Sequence, residues 1–238
     1  MRRRHLLSGM LAALSLAGRR AGAAEQSVDV LLVLAVDVSL SISEDRYELE
    51  RRGYAEAFRD PRVLRAIGEG PTGRIGVALF DWAGPGEQKI AVDWMVIASA
   101  RDADVFAARL AAATRPFYGR TAIGSAIRFA STLLAQAPYR TDRRVIDISG
   151  DGTGNAGPSV TDARDAAVAA GATVNGIVIL TDPDGMPGFL KEHTNPAGGL
   201  AAYYRSVVIG GEGAFVISAE SFAAFGRALI AKLVREIS

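Results

Sequence analysis

The chain has 238 residues, 49% hydrophobic and 22% charged, and no cysteine; this allows one larger domain or two small ones and excludes disulfides, thiolate metal sites and a cysteine nucleophile. Its formal net charge is +1, but five arginines and no acid fall within residues 1–24, leaving 22 basic against 26 acidic residues, a net of −4. A mildly acidic remainder argues against nucleic acid as a partner.

Residues 1–24 read as an export signal. Arg2-Arg3-Arg4 is a basic start, and Leu6 to Ala17 is an apolar run too short for a stable membrane anchor. Ala21-Gly22-Ala23-Ala24 is a small-residue cleavage stretch, so the mature chain is expected to run over 25–238. The protein is expected in the periplasm or outside the cell, with no stable anchor after signal removal. Ordinary secretion is preferred to the twin-arginine route, since the paired arginines lack further motif residues.

Val28 to Val36 is a short apolar run broken only by Asp29, the pattern of a strand covered on both faces. It ends in Asp37-Val38-Ser39-Leu40-Ser41. Ser43-Glu44-Asp45 then announces a helix over Tyr47 to Phe58, with Leu49, Tyr54, Ala57 and Phe58 on one face and Glu48, Arg51, Arg52 and Glu56 outside. Asp60-Pro61 ends it. Gly73 to Trp82 and Gln88 to Ile97 form a hairpin about Gly84-Pro85-Gly86, followed by a helix over Arg101 to Ala113 and another over Thr121 to Ala135. Arg143 to Ser149 is a strand running into Gly150-Asp151-Gly152. A helix over Thr161 to Ala170 and a strand over Ala172 to Leu180 follow. Thr181 to Gly199 has no periodicity and reads as a long loop flanking the site. A short helix over Leu200 to Tyr204, a strand over Ala214 to Ile217 and a helix over Ala219 to Ile237 close the chain. There are no repeats and no linker. The expected fold is a single α/β domain: a doubly wound, mostly parallel six-stranded sheet of order 3-2-1-4-5-6, with one antiparallel edge strand and helices on both faces.

In that order strands 1 and 4 are neighbours, and their carboxyl ends share the crevice where open sheets build sites. Asp37 and Asp151 stand at those two ends. Thr121, opening its helix on the same side, adds a hydroxyl. The pocket would hold Asp37, Ser39, Ser41, Thr121 and Asp151: hard oxygen donors of the kind magnesium takes while keeping waters. Taken alone, Ser39 or Ser41 could equally cap the next helix while Asp37 merely ends a strand.

Asp-x-Ser-x-Ser with a later threonine and a later aspartate resembles the metal-ion-dependent adhesion site of von Willebrand factor type A domains, including integrin inserted domains. The resemblance runs from about Val28 to Ile237. It is closest to a bacterial group of uncharacterised exported single-domain proteins, through Gly119-Arg120-Thr121-Ala122-Ile123-Gly124, Arg144 to Gly152, and Val208-Ile209-Gly210-Gly211. It implies that Ser39, Ser41 and Thr121 coordinate a divalent ion (Mg2+, or Mn2+ or Ca2+), directly in the ligand-bound state, with Asp37 and Asp151 acting largely through water. It further implies a non-enzymatic module that engages a Glu or Asp carboxylate of an unidentified protein partner.

The rival reading is a haloacid-dehalogenase-like magnesium-dependent phosphatase with Asp37 as nucleophile. It needs an acid where Ser39 stands and a phosphate-binding lysine between the motifs, where Lys89 falls in the hairpin. A serine hydrolase lacks its nucleophile elbow, and His193, the one histidine beyond the signal, reads as a loop residue. Asp182-Pro183-Asp184-Gly185 reads as a turn. Trp82 is either part of a contact rim or packed inside. Arg120 either guides an acidic ligand or is solvated. Asp147, inside a buried pattern, either faces an edge or is paired, with Arg143 and Arg144 nearest.

Overall fold

The computed structural model describes residues 26–182 and 188–238. The expected export segment 1–24 lies outside them, as does most of the expected turn at 182–185. In chain order the elements are β1 (Gln26–Ser27), β2 (Leu31–Asp37), α1 (Glu44–Arg59), α2 (Pro61–Glu69), β3 (Ile75–Trp82), β4 (Gln88–Ile97), α3 (Ala100–Ala112), α4 (Ile123–Ala135), β5 (Tyr139–Arg140), β6 (Arg144–Gly150), α5 (Val160–Ala169), β7 (Ala172–Ile179), α6 (Gly188–Thr194), α7 (Leu200–Tyr203), β8 (Val216–Ala219) and α8 (Phe225–Ile237).

The main sheet has six strands in the order β4-β3-β2-β6-β7-β8. Only the β3–β4 pairing is antiparallel. Counted along the chain this is 3-2-1-4-5-6, as expected. All seven residues of β2 are buried. Strand alternation sends them to two cores. Leu32, Leu34 and Val36 pack with Tyr54, Phe58, Phe106, Phe225 and Leu229 beneath α1, α3 and α8. Leu31, Val33 and Ala35 pack with Ile123, Ile127, Ala130 and Ile148 beneath α4. α1 and α8 touch at glycine: a Cβ on Gly53 would lie 2.7 Å from the Phe225 ring.

Several expectations are corrected. Residues 61–69 form α2, which the sequence reading left unassigned. Asp60 does end α1, but its carboxylate also accepts from the Arg62 N–H and caps α2, with Pro61 in the first turn where a missing N–H costs nothing. α4 starts at Ile123, so Thr121 lies before the helix. The expected loop 181–199 contains α6. The last strand is Val216–Ala219, and a 3-10 turn, Phe222–Ala224, precedes α8. Arg51, expected outside, is buried and paired with Asp81. Asp147 is paired, but with Lys232 of α8; Arg143 instead donates to the Glu236 and Ile237 carbonyls.

Candidate metal centre

The site is built where β2 and β6 end side by side. Val36 stands opposite Ser149 in the parallel register, so Asp37 and Asp151 emerge on neighbouring strands. Asp37 is fully buried. Its Oδ1 accepts from the Ser39 N–H at 2.8 Å, an Asx turn that bends the chain immediately after the strand. The bend aligns three hydroxyls and the second carboxylate in one run. Thr121 Oγ1 donates to Ser39 Oγ at 3.2 Å, Ser39 Oγ lies 3.3 Å from Ser41 Oγ, and Ser41 Oγ donates to Asp151 Oδ1 at 2.6 Å. All five residues expected at the site are brought together.

The loop before α4 is held against the loop after β6. The Thr121 N–H donates to Asn155 Oδ1 at 3.0 Å, and the Asn155 N–H donates to the Thr121 carbonyl at 2.9 Å. The Asp-x-Ser-x-Ser turn is clamped from another side by Arg115. Its Nη2 donates to the carbonyls of Val38, Ser39 and Ile42 at 2.9, 3.0 and 2.7 Å.

The electrostatics favour a cation. Asp37 Oδ2 and Asp151 Oδ2 are buried without a hydrogen-bond partner, although Arg46 approaches the latter at 3.8 Å. Burial pushes the Asp37 carboxyl up to about 8, and the charge of Asp151 adds to the shift. Burial pushes Asp151 up to about 6, opposed by the Ser41 hydroxyl and by Arg46. Glu50 of α1 is a third buried carboxyl without a partner, raised by burial and then by Asp37 and Asp151. A divalent ion here would relieve two orphaned oxygens and their mutual repulsion, so the residues present fit one. Among the described residues no three His, Cys, Asp or Glu side chains gather as a metal cage. The donor set is two carboxylates plus hydroxyls, which suits a hard ion that keeps open positions.

Sequence reasoning missed two residues here. His193, read as a loop residue, sits on α6 and is buried. Its Nε2 lies 3.1 Å from Thr121 Oγ1 and its Nδ1 lies 3.2 Å from Thr153 Oγ1. Burial pushes its pKa below the ordinary value. The one local signal was Gly152: a Cβ there would lie 2.1 Å from His193 Nε2, so the ring fits only against glycine. Arg115 carried no sequence signal; the carbonyls its Nη2 reaches are more than seventy residues away. Of the rim candidates, Trp82 is fully buried in the core. Arg120 is exposed and donates to the Asn155 carbonyl at 2.6 Å. The exposed rim residues are instead Leu40 and Tyr118, 65% and 59% accessible. Their two loops meet, since the Leu40 N–H donates to the Gly119 carbonyl.

A family model described as "Protein of unknown function (DUF1194)" matches residues 27–238. No curated protein matches the chain. Among solved structures, proximal thread matrix protein 1 from the mussel byssus "with zinc occupied MIDAS motif" is similar, at 18% identity and TM-score 0.58, with 89% of this chain and 48% of that chain covered. The pilus adhesin SpaC from Lactobacillus rhamnosus GG gives 16% identity and TM-score 0.60, covering 89% of this chain and 30% of that one. A von Willebrand factor type A structure from Catenulispora acidiphila gives 13% identity and TM-score 0.54, covering 89% and 43%. The chain spans about half the length of the mussel structures (49% and 48%). The fold is therefore that of a von Willebrand factor type A domain.

Proposed function

The chain belongs to the DUF1194 family, and on that premise we propose that it is an exported, non-enzymatic binding module that engages an acidic group on a protein partner through a divalent ion held at Asp37, Ser39, Ser41, Thr121 and Asp151. The observation that carries this reading is the unbroken run from Thr121 through Ser39 and Ser41 to Asp151, beside two buried carboxylate oxygens that no protein group satisfies. When bound, the ion supplies an electrophilic centre for an incoming carboxylate. The residues set its strength: two carboxylates balance a double charge, and neutral hydroxyls add little more. A third or fourth acid would hold the ion more tightly but repel an acidic ligand. Oxygen donors favour magnesium, manganese or calcium. The zinc reported in the mussel protein supports a divalent ion more generally.

The surroundings support a protein partner. Leu40 and Tyr118 give the rim apolar surface, and Arg46 and Arg120 flank it with positive charge. Export is supported by the basic and apolar pattern of residues 1–24. Among the described residues no helix is long and apolar enough to cross a membrane. The phosphatase reading is disfavoured because Lys89 is exposed on the edge strand, opposite Asp81 and two strands from β2.

The test is calorimetry on the purified chain with magnesium, then with a Glu-containing peptide and its Gln counterpart, in wild type and Asp37→Ala. Magnesium should bind wild type only, and the Glu peptide should bind only when magnesium is present. Equal magnesium binding by both proteins, or turnover of an aryl phosphate that Asp37→Asn abolishes, overturns the proposal.

A further inference from the structure

We infer that His193 is a positioning residue for Thr121: when a cation binds, the threonine hydroxyl turns its hydrogen bond from Ser39 to His193 Nε2, leaving an oxygen lone pair to face the ion. This rests on the metal site proposed above. A hydroxyl has one proton and two lone pairs. If Thr121 Oγ1 is to face a cation, its proton must leave that direction. The structure gives this oxygen two side-chain neighbours, Ser39 Oγ at 3.2 Å and His193 Nε2 at 3.1 Å. Ser39 is itself assigned to the ion. A proton directed at Ser39 occupies one of the two lone pairs of a hydroxyl that must itself face the ion. His193 is the neighbour outside the ligand set.

The far side of the ring is arranged to match. Nδ1 lies 3.2 Å from Thr153 Oγ1, which can accept a proton held on Nδ1 and so leave the Nε2 lone pair to Thr121; the donor Asn155 Nδ2 is the more distant neighbour of Nδ1, at 3.5 Å. The ring cannot drift. The Thr153 N–H donates to the His193 carbonyl at 3.0 Å, and Gly152 lies against the imidazole. The segment just after Asp151 therefore holds the histidine that orients Thr121, and one loop serves two ligands. The alternative, His193 as a direct ligand, is disfavoured because His193, Asp37 and Asp151 do not gather as a metal-holding group.

Outer partners of metal ligands typically contribute about 10- to 100-fold to affinity. Magnesium calorimetry on the full chain would compare wild type, His193→Ala, His193→Gln, Thr121→Ala, the double variant Thr121→Ala/His193→Ala and Asp37→Ala, each checked for folding by a metal-free melt. His193→Ala should weaken magnesium by about tenfold, the lower end of that range. His193→Gln, which keeps an acceptor oxygen, should recover part of the loss. In the Thr121→Ala background, removing His193 should change nothing further. A purely structural role would lower the metal-free melt and leave the affinity alone. The inference is overturned if His193→Ala binds magnesium as wild type does while Asp37→Ala does not, or if its effect persists unchanged without Thr121. It is equally overturned if the loss falls on zinc alone, which would make His193 a ligand. Unaltered binding in Asp37→Ala is a different result, since it removes the metal site itself.

Discussion

Lys232 in the second half of α8 places its ammonium 2.7 Å from Asp147 in the middle of β6, with both side chains fully withdrawn from solvent. Glu236, one turn further along the helix, shares the ammonium and also accepts from Asn175 Nδ2 at 2.8 Å. Burial pushes Asp147 up to about 7, with Lys232 opposing and Glu236 adding. Lys232→Met would leave two buried carboxylates with no cation between them. The expected cost is about 3–5 kcal/mol of folding free energy, read from urea unfolding at neutral pH. Replacing all three charges by apolar residues of similar volume should cost far less. A loss below about 1 kcal/mol for the single change would mean that the ion pair does not hold α8 to the sheet.

Divalent metal should stabilise the fold. A ligand that binds only the native state adds about 1.4 kcal/mol at ten times its Kd, and for a domain of this size the melting point should rise by roughly 3–5 °C. Asp37→Ala should show no magnesium response. In EDTA above about pH 8 it should melt close to wild type, because removing one of two repelling buried charges offsets the loss of the Ser39 N–H bond to Asp37. Melts in EDTA, magnesium, manganese and calcium check this, and identical responses from both proteins would falsify the site.

The metal-free protein should lose stability as pH rises. Asp37 and Asp151 are raised from 3.8 to about 8 and about 6, so the native state holds their protons more tightly than the unfolded chain does. The stability linked to those protons is complete below about pH 4. It falls as pH climbs through about 6 and then about 8. In EDTA the melting point should be higher at pH 5 than at pH 8.5. Saturating magnesium should flatten or reverse the slope, because it competes for the same oxygens. A metal-free melt that rises over this interval contradicts the burial of the two carboxyls.

Arg115→Ala should damage the site at a distance from the ion. One guanidinium nitrogen satisfies three carbonyls of the Asp-x-Ser-x-Ser turn, and the side chain is only 3% exposed. Losing a charged donor to buried acceptors costs about 1–3 kcal/mol, and the loosened turn should weaken magnesium several-fold. Arg115→Lys should rescue it only in part, since an ammonium can stand in for Nη2 but not for the Nε bond to the Phe117 carbonyl or the Nη1 contact with Glu44. Full affinity in the lysine variant would show that only charge matters there.

The parts of the fold legible in sequence were those with local causes. β2 announced itself by an apolar run too continuous for an exposed strand. The hairpin strand Gln88–Ile97 was delimited by its turn and its alternation. Asp37 and Asp151 could be paired from the sequence because strand order alone makes their strands neighbours. α2 was missed because Asp60-Pro61 was read only as a stop, although the same two residues make a sound helix start. His193, Arg115 and the Asp147–Lys232 pair depend on contacts between residues 40 to 85 positions apart. No spacing rule connects them. α6 shows one weak end of that scale: its short length left no periodicity to read, and only packing gives its histidine a neighbour.

The paired hydrogen bonds between Thr121 and Asn155 have a kinetic consequence. They close a small ring between the two loops during folding, so neither loop has to be captured when a cation arrives. Entry should then be governed by how fast the incoming ion sheds water, a step that is slow for magnesium because its hydration shell is held tightly. Faster-exchanging ions of the same charge should equilibrate with this face sooner than magnesium, whatever their final affinity.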